Sequence, residues 1–151
     1  MDDITRRELE RRKQFLKRYK RNCSLVNRLE KRLVELDEKL YSVRSVVITD
    51  MPRGGTPREI SDILSDKQEL EARINRLANI GRGYRAEILS LIDELDNAGY
   101  AEVLEAFFVE CKDFGQIAEG MGYTERYVIK LYSSAIMALR FEDTNETPRG
   151  Q

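Results

Sequence analysis

Histidine and tryptophan are absent from the 151 residues, and there are only three prolines and two cysteines. Without histidine the chain lacks the commonest metal ligand and the usual general base. Its carboxylates lie among basic residues at helix-surface spacings and form no isolated acid/base pair. No serine sits in a nucleophile motif. Gly54-Gly55 and Gly81-Arg82-Gly83 lack the lysine and the spacing of a phosphate loop. An enzyme is therefore not expected, and neither is a metal site or a cofactor. Cys23 and Cys111 are far apart, with no CxxC spacing, and read as small buried side chains in a reducing compartment. Long apolar runs are missing too. None approaches the roughly 20 residues of a membrane span, and Arg and Glu occupy the N-terminal stretch where a secretory signal would be apolar. No membrane association is expected.

What the chain has is charge, at 35% of residues, and 41% hydrophobic residues arranged in narrow stripes. The net charge of −1 conceals an uneven distribution. Residues 1–46 hold 14 Lys/Arg against 8 Asp/Glu, residues 47–97 hold 7 against 10, and residues 98–151 hold 5 against 9. The basic excess concentrates in "TRRELERRKQFLKRYKR", Thr5 to Arg21. Such a run is read either as a solvated helix face or as a surface for phosphates or an acidic partner.

From Tyr19 onward apolar residues recur in a three-four rhythm: Val26, Leu29, Leu33, Leu36, Leu40, Val43. That is the seam of a coiled coil, and Phe15, Leu16 and Tyr19 extend it backwards. "ITDMPRGGTPRE" stops it, because Pro52 and Pro57 disfavour helix at the residue before each. Thr56 fits an N-cap ahead of Pro57, with Glu59 three residues after the cap. A second seam then runs Leu70, Ile74, Leu77, Gly81, Tyr84, Ile88, Leu91, Leu95, with Ile60, Ile63 and Leu64 leading in. Two helices of about 40 residues joined by a loop of about a dozen predict an antiparallel hairpin over 1–97, its loop at about 47–58. Gly81 on the seam costs about 1 kcal/mol relative to alanine, which points to a close backbone approach or a slight bend.

"DNAGY" (Asp96–Tyr100) opens a new unit at residue 98. "AEVLEAFFVECK" places Val103, Leu104, Phe107 and Phe108 on one helical face. "DFGQIAEGMGYTERYVIKLYSSAIMALR" then reads as helix, turn, helix. Asp113 caps the first helix, Gly122 supplies the left-handed residue of the turn, and Thr124 caps the second. Two helices crossing at close range need a small residue, Ala118, and branched apolar wedges, Val128 and Leu131, with Ile117 and Met121 filling the core. A helix-turn-helix over 98–141 is the reading. Residues 142–151, "EDTNETPRGQ", lack apolar content and are expected to be a disordered tail.

"FGQIAEGMGYTERYVIKLYSSAIMALR", with "VLEAFFVE" before it, resembles region 4 of bacterial sigma factors. The wider order of charged coiled coil, Pro/Gly loop ("TDMPRGG") and sigma-like C-terminus resembles phage and prophage late transcriptional regulators of the ArpU and RinA type. The resemblance implies a sequence-specific regulator that binds double-stranded DNA in the bacterial host cytoplasm, associated with the nucleoid. It further implies activation of late genes with host RNA polymerase. A homodimer is a separate expectation: neither long helix buries its stripe alone, and a second copy would double the DNA contacts and fix half-site spacing. On the sigma pattern the DNA-facing positions are Thr124, Glu125, Arg126, Tyr127, Ile129 and Lys130. Ile129 stands where sigma factors usually carry Arg, and Tyr127 replaces another basic residue. Arg126 suits guanine, Glu125 a cytosine amino group, and Lys130 a phosphate or guanine; the hydroxyls of Tyr132, Ser133 and Ser134 add polar contacts.

The acidic balance of 98–151 is unusual for a DNA reader, whose affinity comes largely from phosphate contacts. Either the first helix supplies the missing charge, through Arg6, Arg7, Lys20 and the candidate phosphate contacts Arg11, Arg12, Lys13, Lys17, Arg18 and Arg21, or binding is weak and depends on a partner. Two other readings are a protein-interaction adaptor that binds polymerase without reading DNA, and a DNA-packaging subunit like a phage small terminase.

Overall fold

The computed structural model describes residues 2–48 and 57–141, and every described element is helical. In chain order these are α1 (Asp3–Ile48), α2 (Pro57–Asp93), α3 (Ala98–Leu104), a π-helical turn (Glu105–Val109), α4 (Phe114–Met121) and α5 (Glu125–Ala138). The Pro/Gly loop, the Thr56 cap and the expected tail lie outside the described residues, although α2 does begin at Pro57. No described helix is long and apolar enough to cross a membrane.

The chain divides into two compact units. One comprises Arg21–Arg82, the other the described residues up to Lys20 and from Gly83 onward. The division therefore falls inside α1 and α2 rather than at residue 97.

Within Arg21–Arg82 the two helices pair antiparallel. Asn22 Nδ2 donates to the Leu77 carbonyl at 2.9 Å, and Asp37 meets Lys67 at 2.9 Å, so partners descend α2 as α1 ascends. The buried residues are seam residues: Leu29 and Leu40 on α1, Ile63 and Ile74 on α2. Val26, Leu33, Leu36, Leu70 and Leu77 are half-buried, because a pair of helices cannot enclose the whole of both seams.

Gly81 is buried where α2 faces Asn22 of α1. A side chain there would fall on the Asn22 amide, the same amide that bonds Leu77. The glycine thus serves close approach, and the asparagine bond ties one helix to the backbone of the other. Gly81→Leu is expected to destabilise by about 1–3 kcal/mol through overpacking. Gly81→Ala gains roughly 1 kcal/mol of helix propensity but displaces the Asn22 amide, and should come out near neutral. Denaturant melts of both variants check this; a more stable leucine variant would rule out the close approach.

The second unit has its own core. Leu16 of α1, Ile88 of α2, Val103 and Leu104 of α3, Phe108 of the π turn, and Val128, Ala135 and Ile136 of α5 are all 0% exposed. Leu9 and Ile92 join the same cluster. A helix-turn-helix of about 40 residues is too small to bury a self-sufficient core, and here the ends of α1 and α2 complete it.

Asn97 caps α3 by accepting from the Tyr100 N–H at 3.1 Å. The helix then widens. Glu110 N–H reaches back five residues to the Glu105 carbonyl at 2.9 Å, and Lys112 N–H reaches the Ala106 carbonyl at 2.9 Å. The wider turn buries Phe108 fully and leaves Phe107 half-buried, where regular helix spacing predicts a shared face. Cys111 ends the turn at φ 59°, a left-handed conformation that is uncommon outside glycine. Its side chain is exposed and that of Cys23 is half-buried, which corrects the expectation of two buried thiols. Cys111 therefore occupies a left-handed backbone position at the surface, not a packing position.

Candidate nucleic-acid interface

Helix α4 starts with a full capping box. The Asp113 carboxylate accepts the Gln116 N–H at 2.8 Å, and the Gln116 side chain accepts the Asp113 N–H at 2.9 Å. It ends at Gly122, whose φ of 74° lies in the left-handed region, and the N–H groups of Gly122 and Tyr123 both return to the Ala118 carbonyl. Ala118 and Ile117 are buried against α5 and its neighbours. Thr124 then caps α5, its hydroxyl accepting the Tyr127 N–H at 3.2 Å. The spacing of alanine, glycine and threonine in the sequence is that of a helix-turn-helix, and the backbone here has that form.

At about 100° per residue, Val128, Tyr132, Ala135 and Ile136 form the inward side of α5, and all four are buried. Ser133, Arg126, Lys130, Ser134 and Tyr127 fall within an arc of about 120° on the opposite side. Arg126, Tyr127, Lys130 and Ser134 are exposed and Ser133 is half-buried. Neither Arg126 nor Lys130 has an ion-pair partner among the described residues. Thr124 is exposed but its oxygen is engaged in the cap. Glu125 is also exposed and lies off the arc, its carboxylate 3.7 Å from where a side chain on Gly115 would stand.

Tyr132 does not belong to this surface, contrary to the sequence reading. It is 4% exposed and its ring stacks on Phe107 (4.9 Å) and Phe108 (5.7 Å), with Phe114 edge-on at 5.0 Å. One residue past Leu131, it points inward, and burial together with the Glu10 charge pushes its phenol up to about 12.

The cations of α1 divide between internal and exposed positions. Arg12 is the most committed: its Nη1 donates to the carbonyls of Ile136 (2.9 Å), Met137 (3.1 Å) and Leu139 (3.1 Å), where α5 ends. Its Nε meets Glu8 at 2.7 Å and its guanidinium lies over Phe141 at 4.9 Å. Arg12 therefore caps α5 and is not available to a phosphate. Arg18 is similarly engaged between the Phe15 ring (3.9 Å) and the Tyr84 ring (4.4 Å), with Glu87 at 3.0 Å. Lys13 bonds Glu10 at 3.3 Å and lies 5.6 Å from the Tyr132 ring, and Lys17 is half-buried. Lys20 sits 3.6 Å from the Phe107 ring, where burial lowers its pKa. Arg11 remains exposed although paired with Glu8 at 2.7 Å. Arg21 is exposed and belongs to the other unit.

The sequence pattern gave no sign of the Arg12 cap. Its only local hint is Glu8, four residues earlier, which is an ordinary helix-surface spacing; the carbonyls it serves lie more than a hundred residues away. Among the described residues no cluster of Cys, Asp or Glu could hold a metal ion. No protein-family model, curated protein or solved structure matches the chain.

Proposed function

We propose that this protein is a sequence-specific regulator of transcription that presents the outer arc of α5 to the major groove of double-stranded DNA. The resemblance to sigma region 4 and to the ArpU and RinA type extends the proposal to the activation of phage late genes with host RNA polymerase. One observation carries it: a capped helix behind a left-handed glycine turn exposes Arg126 and Lys130 with no ion-pair partner among the described residues, beside the hydroxyls of Ser133 and Ser134. Arg can take guanine O6 and N7, and hydroxyls and Lys can take phosphates. With Arg12 and Arg18 engaged inside the protein, α1 offers fewer cations than its composition suggests, so a homodimer that doubles the contacts is part of the proposal.

The test is selection of binding sites from a random duplex pool by the purified protein, repeated at several salt concentrations. Arg126→Ala with Lys130→Ala is expected to weaken the selected site by about 2 kcal/mol or more, measured by titration, with helicity unchanged. Wild-type affinity in the double variant would refute the assignment of this arc.

An acidic cleft favours the adaptor as a second reading. Glu102, Glu105 and Glu110 line a cavity of about 460 Å³ together with Ala106, Ile117 and Met121, and Lys112, paired with Glu110 at 3.2 Å, offsets only one of the three carboxylates. Recovery of RNA polymerase from host lysate, with no duplex bound even at low salt, would support that reading over the first.

A further inference from the structure

Seven large apolar side chains stand exposed among the described residues, and three of them, Tyr123, Tyr127 and Ile129, fall within seven consecutive positions around the start of α5. They are 46%, 46% and 43% exposed, so none is filling the core. The inward side is already occupied by Val128 and Tyr132. Tyr127 and Ile129 flank the arc that carries Arg126 and Lys130. Two residues apart on a helix, they point about 160° away from each other, one on each side of the cationic centre. Tyr123 holds the Tyr127 ring edge-on at 4.8 Å, which restricts where that ring can swing.

An apolar side chain on a groove-reading helix has one base-edge feature to bury in the major groove, the 5-methyl group of thymine. Resting on the DNA-binding reading above, we infer that Tyr127 and Ile129 are specificity-determining residues, each reading the methyl group of a separate thymine. Their divergence means that one methyl cannot serve both. The preferred site then contains two thymine positions that flank the base pair met by Arg126, and its selectivity owes as much to methyl contacts as to hydrogen bonds. A protein-docking patch would also be apolar, but the two cations and two serines between the flanks suit a groove lined with acceptors and phosphates better than a dry protein surface.

The test uses the full chain and its selected duplex, with each thymine replaced in turn by uracil, which removes the methyl and preserves every hydrogen bond. Burying one methyl is worth about fourfold in affinity. A loss of about fourfold is expected at two thymine positions and no loss elsewhere. Ile129→Ala should abolish the uracil penalty at one position and Tyr127→Ala at the other, each variant binding the corresponding uracil duplex as the wild type does. Both side chains are exposed, and unchanged helicity of the variants keeps the comparison interpretable. Equal binding of thymine and uracil duplexes, with the selected sequence still preferred, overturns this inference and leaves the DNA-binding reading standing. Failure of any duplex to be enriched overturns that reading and the inference with it. Unchanged duplex affinity in both variants, with lost capture of RNA polymerase, assigns the patch to a protein surface and likewise overturns it.

Discussion

Tyr132→Ala is expected to destabilise the unit that carries the helix-turn-helix by about 3–5 kcal/mol. The ring lies at the meeting point of four segments: Phe107 and Phe108 of the π turn, Phe114 at the start of α4, Lys13 of α1, and α5 itself. Truncating it leaves a cavity bounded by three other aromatic rings, which cannot collapse without shifting α4 against α5. Tyr132→Phe keeps the ring and should cost under about 1 kcal/mol, in the range of shape-conserving core changes. The pair separates a packing role from a DNA contact, because the phenylalanine variant should also bind DNA as the wild type does.

The same residue gives a pH dependence. Its phenol is raised from 10.0 to about 12 in the folded protein, mainly by burial. A raised folded pKa leaves stability intact below the unfolded value and removes it as pH climbs through the folded one. Part of the alkaline loss between pH about 10 and about 12 should therefore be missing in Tyr132→Phe. Urea melts at neutral pH and above pH 10 on both proteins measure the difference.

Arg12→Ala is the second large expectation, at about 3 kcal/mol. Three carbonyls at the end of α5 share its Nη1, and charge-assisted bonds to partly buried acceptors are the strong class. The guanidinium also covers the Phe141 ring, so packing is lost along with charge. The carbonyls left behind at residues 136, 137 and 139 lie at the negative end of the helix, where a cation is favoured. Arg12→Lys should recover less than half of the loss, because an ammonium lacks the planar fork that meets the carbonyls and Glu8 along its edges while its face covers the Phe141 ring. Faster amide exchange confined to the last turn of α5 would distinguish loss of a cap from general unfolding. Glu8 completes the arrangement: Arg11 first, then Arg12, hold its carboxyl at about 2 instead of 4.5. A depressed folded pKa means that its contribution is present above about 4.5 and fades as pH falls towards 2, so Arg12→Ala should narrow the acid-induced loss as well.

Arg12 is also where sequence and structure part most clearly. Read along the chain, it is one of a run of basic residues and a candidate for phosphate. Its role depends on the carbonyls of residues 136–139 lying beside it, and no local pattern encodes that neighbour. Arg18, sandwiched between Phe15 and Tyr84, is the same case. Tyr132 differs slightly. Its position on the inward side of α5 follows from a 3.6-residue period anchored on Val128 and Ala135, so the period alone could have excluded it from the outer surface.

The all-helical architecture, the two seams, the Asp113 and Thr124 caps and the left-handed Gly122 were determined by the sequence alone, because each rests on contacts or backbone preferences within a few residues. Tertiary structure alone decided which cations remain at the surface, that Leu9, Leu16, Ile88 and Ile92 complete the core around α5, and that Gly81 makes room for Asn22. Those outcomes depend on which distant segments meet, and a side chain's charge or size does not specify its partner until the chain has folded.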